Sequence, residues 1–284
     1  MNSDGFLNLE NQITAVHLAD LAPKRIYTDV LDVKTTAKSA IAVDVKSSKV
    51  LYKKNSQEIL PIASITKLMT VLIFLEHNPG WQNTITILAS DRRSGSTAYL
   101  NTGEILTVKD LFATALIVSD NEAAMVVARA TGLSEADFIA SMNKKAAELG
   151  LKNTKFVEPT GLDAGNSSTA EDVAKLLNFA LQNQAIKEMT STANYEFKIQ
   201  NKDKARLVKL KNTDLLLKGY LNVLGGKTGS LQEAGYCLAI KIKGELGQEI
   251  IIAVLDSQTN LDRFQDVKAI SDWVNSNYKW PVKN

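Results

Sequence analysis

Strand-like segments stand towards both ends of this chain with a long helical stretch between them, and that arrangement limits the fold more than any other feature. "SAIAVDVKSSKVLYKK", residues 39 to 54, alternates on either side of Ser47 and Ser48, the pattern of a hairpin. Strand character returns after about residue 194, in "NYEFKIQ", "ARLVKLK", "AGYCLAIKIK" and "EIIIAVLDS", with "GELG" turning between the last two. The order of hairpin, helices, strands and helix implies one sheet built from both chain ends, with a helical insertion: an α/β fold.

The helical stretches carry their own signals. Residues 64 to 77 place Ile65, Leu68, Met69, Leu72, Ile73 and Leu75 nearly all round, so this helix should be buried. Between residues 107 and 183, "TVKD" at Thr107, "SEAD" at Ser134 and "TAED" at Thr169 each set an acid three after a hydroxyl, as in a capping box. Gly150 closes the helix that starts near Ser134. From 262 to 278, Phe264, Val267, Ile270, Val274 and Tyr278 form one stripe, expected to pack on the sheet rather than on a membrane surface. Residues 1 to 25 carry scattered leucines without strong period and read as an extension or linker.

Composition excludes several classes. With 33 basic and 31 acidic residues and no long basic run, nothing marks a nucleic-acid partner. One cysteine, Cys237, allows no intrachain disulfide and sits in an apolar run as a buried strand residue. His17 and His77 are far apart without metal-like neighbours, so no metal is expected; His77 suits a helix C-terminus. No apolar run reaches the ~18 residues of a membrane span, and residues 1 to 25 lack a signal-peptide pattern. The chain is a cytosolic product, or an exported protein whose targeting segment is absent from this sequence.

Three polar islands interrupt the apolar pattern: Ser64 with Lys67 in "PIASITKLMT", Ser119-Asp120-Asn121 in "LIVSDNEA", and Lys227-Thr228-Gly229-Ser230 in "LGGKTGSLQEAGYC" at the edge of a strand. Each has an ordinary reading. A serine before an apolar run is a common helix cap, and Asp120 suits the cap of the helix that follows it. The same serine–lysine spacing recurs at Ser141 to Lys144 and Ser276 to Lys279. Ser141 falls mid-helix, where Met142 and Ala146 take the packing positions, and Ser276 lies too near the C-terminus to precede the other two islands.

Taken in order, the three islands are those of penicillin-binding proteins and class A β-lactamases. With "GSTAYLNTGEILTVKDLFATALIVSDNEAA", "FVEPTGLD", "SSTAEDVAKL" and "YLNVLGGKTG", the chain resembles the D-alanyl-D-alanine carboxypeptidases, low-molecular-mass penicillin-binding proteins of the serine-peptidase kind, over residues 25 to about 280. The resemblance implies a serine β-lactamase and transpeptidase type of fold, a mainly antiparallel sheet flanked by helices with a helical subdomain and a cleft between. It implies a catalytic domain over residues 26 to 284.

The resemblance also implies roles at the matched positions. Ser64 is the nucleophile. A hydroxyl needs a base, and Lys67, one helical turn away, serves only if neutral; its pKa must then fall from about 10.4 by about 3 units, roughly 4 kcal/mol. Lys227 is the neighbouring cation that favours this shift, and Ser64 and Asn121 are the expected partners of Lys67. Ser119 relays a proton to the leaving amine, Lys227 and Thr228 hold a terminal carboxylate, and Gly229 leaves room for substrate along the strand edge. The N–H groups of Ser64 and Ser230 form the oxyanion hole.

The implied reaction removes the terminal D-alanine of peptidoglycan stem peptides through an acyl-Ser64 intermediate, without a cofactor, inhibited by β-lactams, outside the cytoplasm. Membrane association would need segments absent from this chain. The alternatives are a class A-like β-lactamase, for which Glu158 would be the water-activating candidate but reads as a loop residue, and an inactive binding module on the same fold. An arginine frequent after the last strand is unmatched in "DSQTNLDRF"; Gln258 stands in its place, which leaves carboxylate recognition to Lys227, Thr228 and Ser230.

Overall fold

The computed structural model describes residues 22 to 27, 32 to 93, 99 to 200 and 205 to 281. The extension read over residues 1 to 25 lies outside the described residues up to residue 21, and so does His17. Lys24–Arg25 pairs antiparallel with Tyr278–Lys279.

The first hairpin is β1 (Ser39–Asp44) and β2 (Val50–Lys54). A 3-10 turn, Ala63–Thr66, leads into α1 (Lys67–Glu76). The helical part continues with α2 (Val108–Ile117), α3 (Asn121–Arg129), α4 (Glu135–Glu148), α5 (Ala170–Ala180) and α6 (Gln184–Ser191). Then come β3 (Asn194–Gln200), β4 (Ala205–Lys211), β5 (Asn222–Leu231), β6 (Gly235–Lys243), β7 (Glu249–Ser257) and α7 (Asp262–Asn277).

The side chains at helix starts act as their types predict. Thr107, Asp120, Ser134 and Thr169 each accept the N–H three residues on, satisfying a donor that the helix itself leaves free. Gly150 takes φ +67 just past α4. α7 ends at Asn277, one residue short of the span its stripe suggests; Tyr278 leaves the helix for the short pairing with Arg25 but stays in the same core as Phe264, Val267, Ile270 and Val274.

The main sheet runs β5-β6-β7-β1-β2, every neighbour antiparallel, so β7 joins the two ends of the chain through pairs from Ile250↔Asp44 to Leu255↔Ser39. In β7 the period of 2 is read on both faces. Ile250, Ile252 and Val254 pack with Phe264, Val267, Ile270 and Val274 of α7. Ile251, Ala253 and Leu255 belong to the larger core that includes Val173, Ala174 and Leu177 of α5. That core continues into the helical part, where every residue of α1 from Lys67 to Phe74 is buried.

One expectation is corrected. "NYEFKIQ" and "ARLVKLK" do form strands, but β3 and β4 pair only with each other and stay outside the main sheet. They lie over α2, with Phe197, Ile199, Val208 and Leu210 buried and the Tyr195 hydroxyl donating to Asp110 Oδ1 at 2.9 Å. Alternation specifies that one face of a strand is covered; it does not specify by what.

The segment ahead of β1 is tied to α7 by a single carboxylate. Asp266, 4% exposed, accepts from Thr36 N (2.8 Å), Thr36 Oγ1 (2.9 Å), Ala37 N (2.9 Å) and Ser257 Oγ (2.8 Å). Removing it strands two backbone donors, that of Ala37 buried, and two hydroxyls. Asp266→Ala should lower the unfolding free energy by roughly 3 kcal/mol, read as a lower urea midpoint with an unchanged slope.

Candidate active site

The site begins with a backbone that turns sharply ahead of α1. Ala63 holds φ +46 while 1% exposed, an uncommon conformation for a residue with a Cβ. Ser64 follows in the 3-10 turn, so its side chain leaves the helix start rather than capping it; the turn has no side-chain cap. Two glycines let other segments close in on this turn. A Cβ on Gly161, at φ +88, would sit 2.1 Å from Ala63 O, and one on Gly229 of β5 would sit 2.9 Å from Ile62 O and 3.1 Å from Ser64 N. A loop and the edge strand of the sheet therefore both reach the backbone of Ser64.

Lys67, the first residue of α1, is fully buried. Its Nζ lies 2.9 Å from Ser64 Oγ, 2.7 Å from Asn121 Oδ1 and 2.7 Å from the carbonyl of Thr160. An ammonium group has three donors, and these contacts use all three. Burial is the main reason that its pKa falls, to about 7, against the opposing pull of Glu158 and then Asp120. In the neutral amine, two N–H bonds still serve Asn121 and Thr160, and the lone pair faces the Ser64 hydroxyl.

The second island lies between α2 and α3. Ser119 holds φ +61 and Asp120 caps α3, Oδ1 accepting from Ala123 N at 2.7 Å. Burial raises the Asp120 pKa. Asn121, the first residue of α3, turns its amide to Lys67.

The third island is on β5. Lys227, 1% exposed, donates to Ser119 Oγ at 2.7 Å and to Thr228 O at 2.9 Å. Burial first, then the Lys67 and Arg263 cations, push its pKa well down. Thr228 Oγ1 shares a 2.6 Å hydrogen bond with Thr213 Oγ1. Gly229 is buried and Ser230 is exposed at the end of the run.

Ser64, Lys67, Ser119, Asn121, Lys227, Thr228 and Gly229 thus stand in one contact network assembled from α1, the α2–α3 connection and β5, with Ser230 next along the strand. Ser141 and Ser276 lie within α4 and α7, and Ser141 Oγ only bonds back to Asp137 O. Among the described residues, no three His, Cys, Asp or Glu side chains group to hold a metal ion. A broad depression of about 1020 Å³, bordered by Tyr220, Gln248, Asp272 and Trp280, contains none of the site residues. The site is recognised by its chemistry rather than by volume.

Sequence reasoning missed three contributors and read a fourth, Glu158, only as a loop residue. The Thr160 carbonyl is a backbone group and leaves no mark on residue type. Glu158, in the "EPTGLD" run, holds that carbonyl in place: its carboxylate accepts from Thr160 N, Thr160 Oγ1, Gly161 N, Leu162 N and Asn166 Nδ2. Thr213 supports Thr228. Arg263, 6% exposed, donates to Gly229 O at 2.8 Å and to Asn260 Oδ1, placing a guanidinium against β5. Gln258, five residues earlier, engages Thr36 through its backbone and is exposed.

Comparison with known proteins agrees with this geometry. A family model described as D-alanyl-D-alanine carboxypeptidase matches residues 26–259. The D-alanyl-D-alanine carboxypeptidase DacF of Bacillus subtilis is 37% identical over 249 residues, covering 86% of this chain; the chain spans 63% of that relative's length. A D-alanyl-D-alanine endopeptidase of Haemophilus influenzae is 37% identical over 206 residues, 71% of this chain and 69% of the relative. Among solved structures, penicillin-binding protein D2 from Listeria monocytogenes in its cefotaxime-bound form is similar with a TM-score of 0.76 at 29% identity, covering 87% of this chain and 100% of that one. The fold is that of the penicillin-binding DD-peptidases, and the chain belongs to the D-alanyl-D-alanine carboxypeptidase family.

Proposed function

We infer that this chain is a serine-type D-alanyl-D-alanine carboxypeptidase that removes the terminal D-alanine of peptidoglycan stem peptides, working outside the cytoplasm, with residues 26 to 284 as the catalytic unit and residues 1 to 25 as an extension. The observation that carries the reading is the Lys67 amine, 2.9 Å from Ser64 Oγ, with its other two contacts fixed. Neutral Lys67 takes the proton of Ser64 as Oγ attacks the carbonyl of the penultimate D-alanine. The oxyanion that forms is met by the N–H groups of Ser64 and Ser230. The tetrahedral species collapses and the C–N bond breaks. The leaving amine receives the proton from Lys67 through Ser119, whose Oγ is held by Lys227.

Water then attacks the acyl-Ser64 ester with Lys67 again as base, and the proton returns to Ser64 Oγ as product leaves. The incoming peptide lies along the β5 edge beside Gly229 as an added strand, and its C-terminal carboxylate sits at Lys227, Thr228 and Ser230. β-Lactams imitate that terminus and acylate Ser64. The Glu158 carboxylate is saturated by loop donors, which leaves it no free position from which to activate a deacylating water. The acyl-enzyme with penicillin is therefore long-lived, in contrast to a β-lactamase. Cleavage of cross-linked peptides uses the same acyl step with a different leaving amine, and the Haemophilus influenzae relative's name supports it as a second reading.

Intact-mass measurement should show one penicillin adduct on the wild-type chain and none on Ser64→Ala. Incubation with a peptide ending in two D-alanines should release free D-alanine, while cleavage confined to cross-linked dimers favours the endopeptidase. Rapid penicillin turnover, or an unlabelled Ser64, would sink the reading.

The pH dependence has a defined sign. The base is active when neutral, so kcat/KM should rise with pH through about 7, the pKa to which Lys67 is lowered. Glu158→Gln removes a charge that favours the Lys67 ammonium, so this acid limb should move below that of the wild type. Loss of loop acceptors should also cost about 1–3 kcal/mol in stability, seen as a lower melting temperature. An unmoved acid limb in a folded Glu158→Gln protein would rule out the electrostatic link.

A further inference from the structure

In the proposed reaction Thr228 meets the substrate's terminal carboxylate, and the fold gives its hydroxyl a single partner. Thr228 is 4% exposed, and its Oγ1 lies 2.6 Å from Thr213 Oγ1. Among the described residues neither hydroxyl has another hydrogen-bond partner. Thr213 is half-buried in the connection between β4 and the short turn Leu215–Lys218.

That connection is held from several sides. Asn212 is buried; its Nδ2 donates to Thr192 O at 2.9 Å, and its backbone N–H donates to Ala193 O at 2.9 Å. Its Oδ1 accepts from Asp214 N at 2.9 Å, and Asp214 Oδ1 accepts from Leu216 N at 2.9 Å. Two successive Asx turns, begun at Asn212 and Asp214, thus fix the backbone around Thr213. The Thr213 N–H donates to Ile117 O at 3.1 Å, a carbonyl at the end of α2 that the helix leaves free. Ile117 stands two residues before Ser119. Thr213 therefore reaches the wall that carries Ser119 through its backbone, and the strand that carries Lys227 through its side chain.

The two oxygens of the Thr213–Thr228 contact share one hydrogen, and its origin decides what Thr228 can do. A hydroxyl has one hydrogen and two acceptor positions, whereas a carboxylate only accepts. If Thr228 donates to Thr213, it has no hydrogen left for an anion. If Thr213 donates, Thr228 keeps its hydrogen, and the bond it receives polarises its own O–H toward stronger donation. A carboxylate at Thr228 selects the second arrangement, because hydrogen bonds to an ionised group are stronger than those between neutral groups.

We propose that Thr213 is a positioning residue for the carboxylate end of the substrate: its hydroxyl donates to Thr228 Oγ1 and so directs the Thr228 hydrogen to the terminal carboxylate. The proposal rests on the carboxypeptidase reading. Thr213 acts through Thr228 alone, from a turn whose backbone is already fixed.

The test measures kcat and KM on a peptide ending in two D-alanines for wild type, Thr213→Val, Thr213→Ser, Thr228→Val and the double variant of Thr213→Val with Thr228→Val. Valine keeps the shape of the side chain and removes the hydroxyl. In Thr213→Val, KM should rise roughly tenfold with a smaller change in kcat. Thr213→Ser keeps the donor and should restore KM to near the wild-type value. Adding Thr213→Val to Thr228→Val should change KM by less than about twofold, since a residue that acts through another adds nothing once that one is gone. A folded Thr213→Val protein with wild-type KM overturns the proposal. So does a Thr213→Ser protein as impaired as Thr213→Val, which would make the contact one of packing. Losses that add in the double variant, or an impaired Thr213→Val beside an unimpaired Thr228→Val, also overturn it, since Thr213 would then act on its own. Where Thr213→Val does not fold, Thr213→Ala takes its place; loss of folded protein in both would make the hydroxyl a requirement of the fold and overturns the proposal too. Failure of the wild type itself to release D-alanine or to be acylated at Ser64 counts against the enzymatic reading instead, and so is distinguishable.

Discussion

Everything at the site depends on burying the Lys67 amine where water cannot reach it. An amine taken out of water must replace its lost solvation contact by contact. Here the replacements come from three places: the turn at Ser64, the first residue of α3 at Asn121, and the loop carbonyl of Thr160. No single element could supply them, so the helical part has to be packed around α1 before the site exists. The same packing holds Ala63 and Ser119 at positive φ, a conformation that costs energy and persists only where the surroundings over-determine it.

The cleft is also a problem in charge balance. Lys67 and Lys227 come from α1 and β5, and after burial the Lys67 cation is the main influence that weakens the hold of Lys227 on a proton; burial, not Lys227, lowers Lys67. In the proposed reaction their tasks differ: Lys67 is the base, and Lys227 holds Ser119 and receives the substrate's carboxylate. Similar burial alone would treat them alike. Their surroundings differ: Lys67 faces the carboxylates Glu158 and Asp120, which favour its ammonium form, whereas Lys227 faces the Lys67 and Arg263 cations as well as Asp214. Burial of carboxylates around the cleft raises their pKa values by desolvation, as Asp120 and Asp214 show. Groups perturbed in this way cluster at functional sites.

The sequence reveals most of this architecture where side-chain type and period are the signal. The hairpin over 39 to 54, the all-round burial of α1, the caps at Thr107, Asp120, Ser134 and Thr169, and the three polar islands could all be read directly. The failures share a physical cause. Thr160 contributes a carbonyl, which every residue has. β3 and β4 show the right alternation, but alternation does not name a partner. Arg263 escaped because position was judged along the chain; the start of α7 carries its guanidinium back to Gly229, while Gln258 is exposed and meets Thr36 through its backbone N–H. Thr213 and Asp214 sit in a short polar connection that looks like any loop until β5 is placed beside it.

β5 explains why a sheet edge can be exposed to substrate without being an open invitation to other chains. An unpaired edge is a hazard in most sheets. Along this one the register shifts between Val223 and Gly225, α6 packs against the strand, and the turn Ala63–Thr66 lies against it further on. Gly225 to Gly229 are buried in consequence, and exposure returns at Ser230. The accessible edge is therefore short and begins beside Ser64. A peptide that pairs there gains only a few backbone hydrogen bonds, too few to bind by strand addition alone. In the proposed reaction the second anchor is the terminal carboxylate, received at Lys227, Thr228 and Ser230.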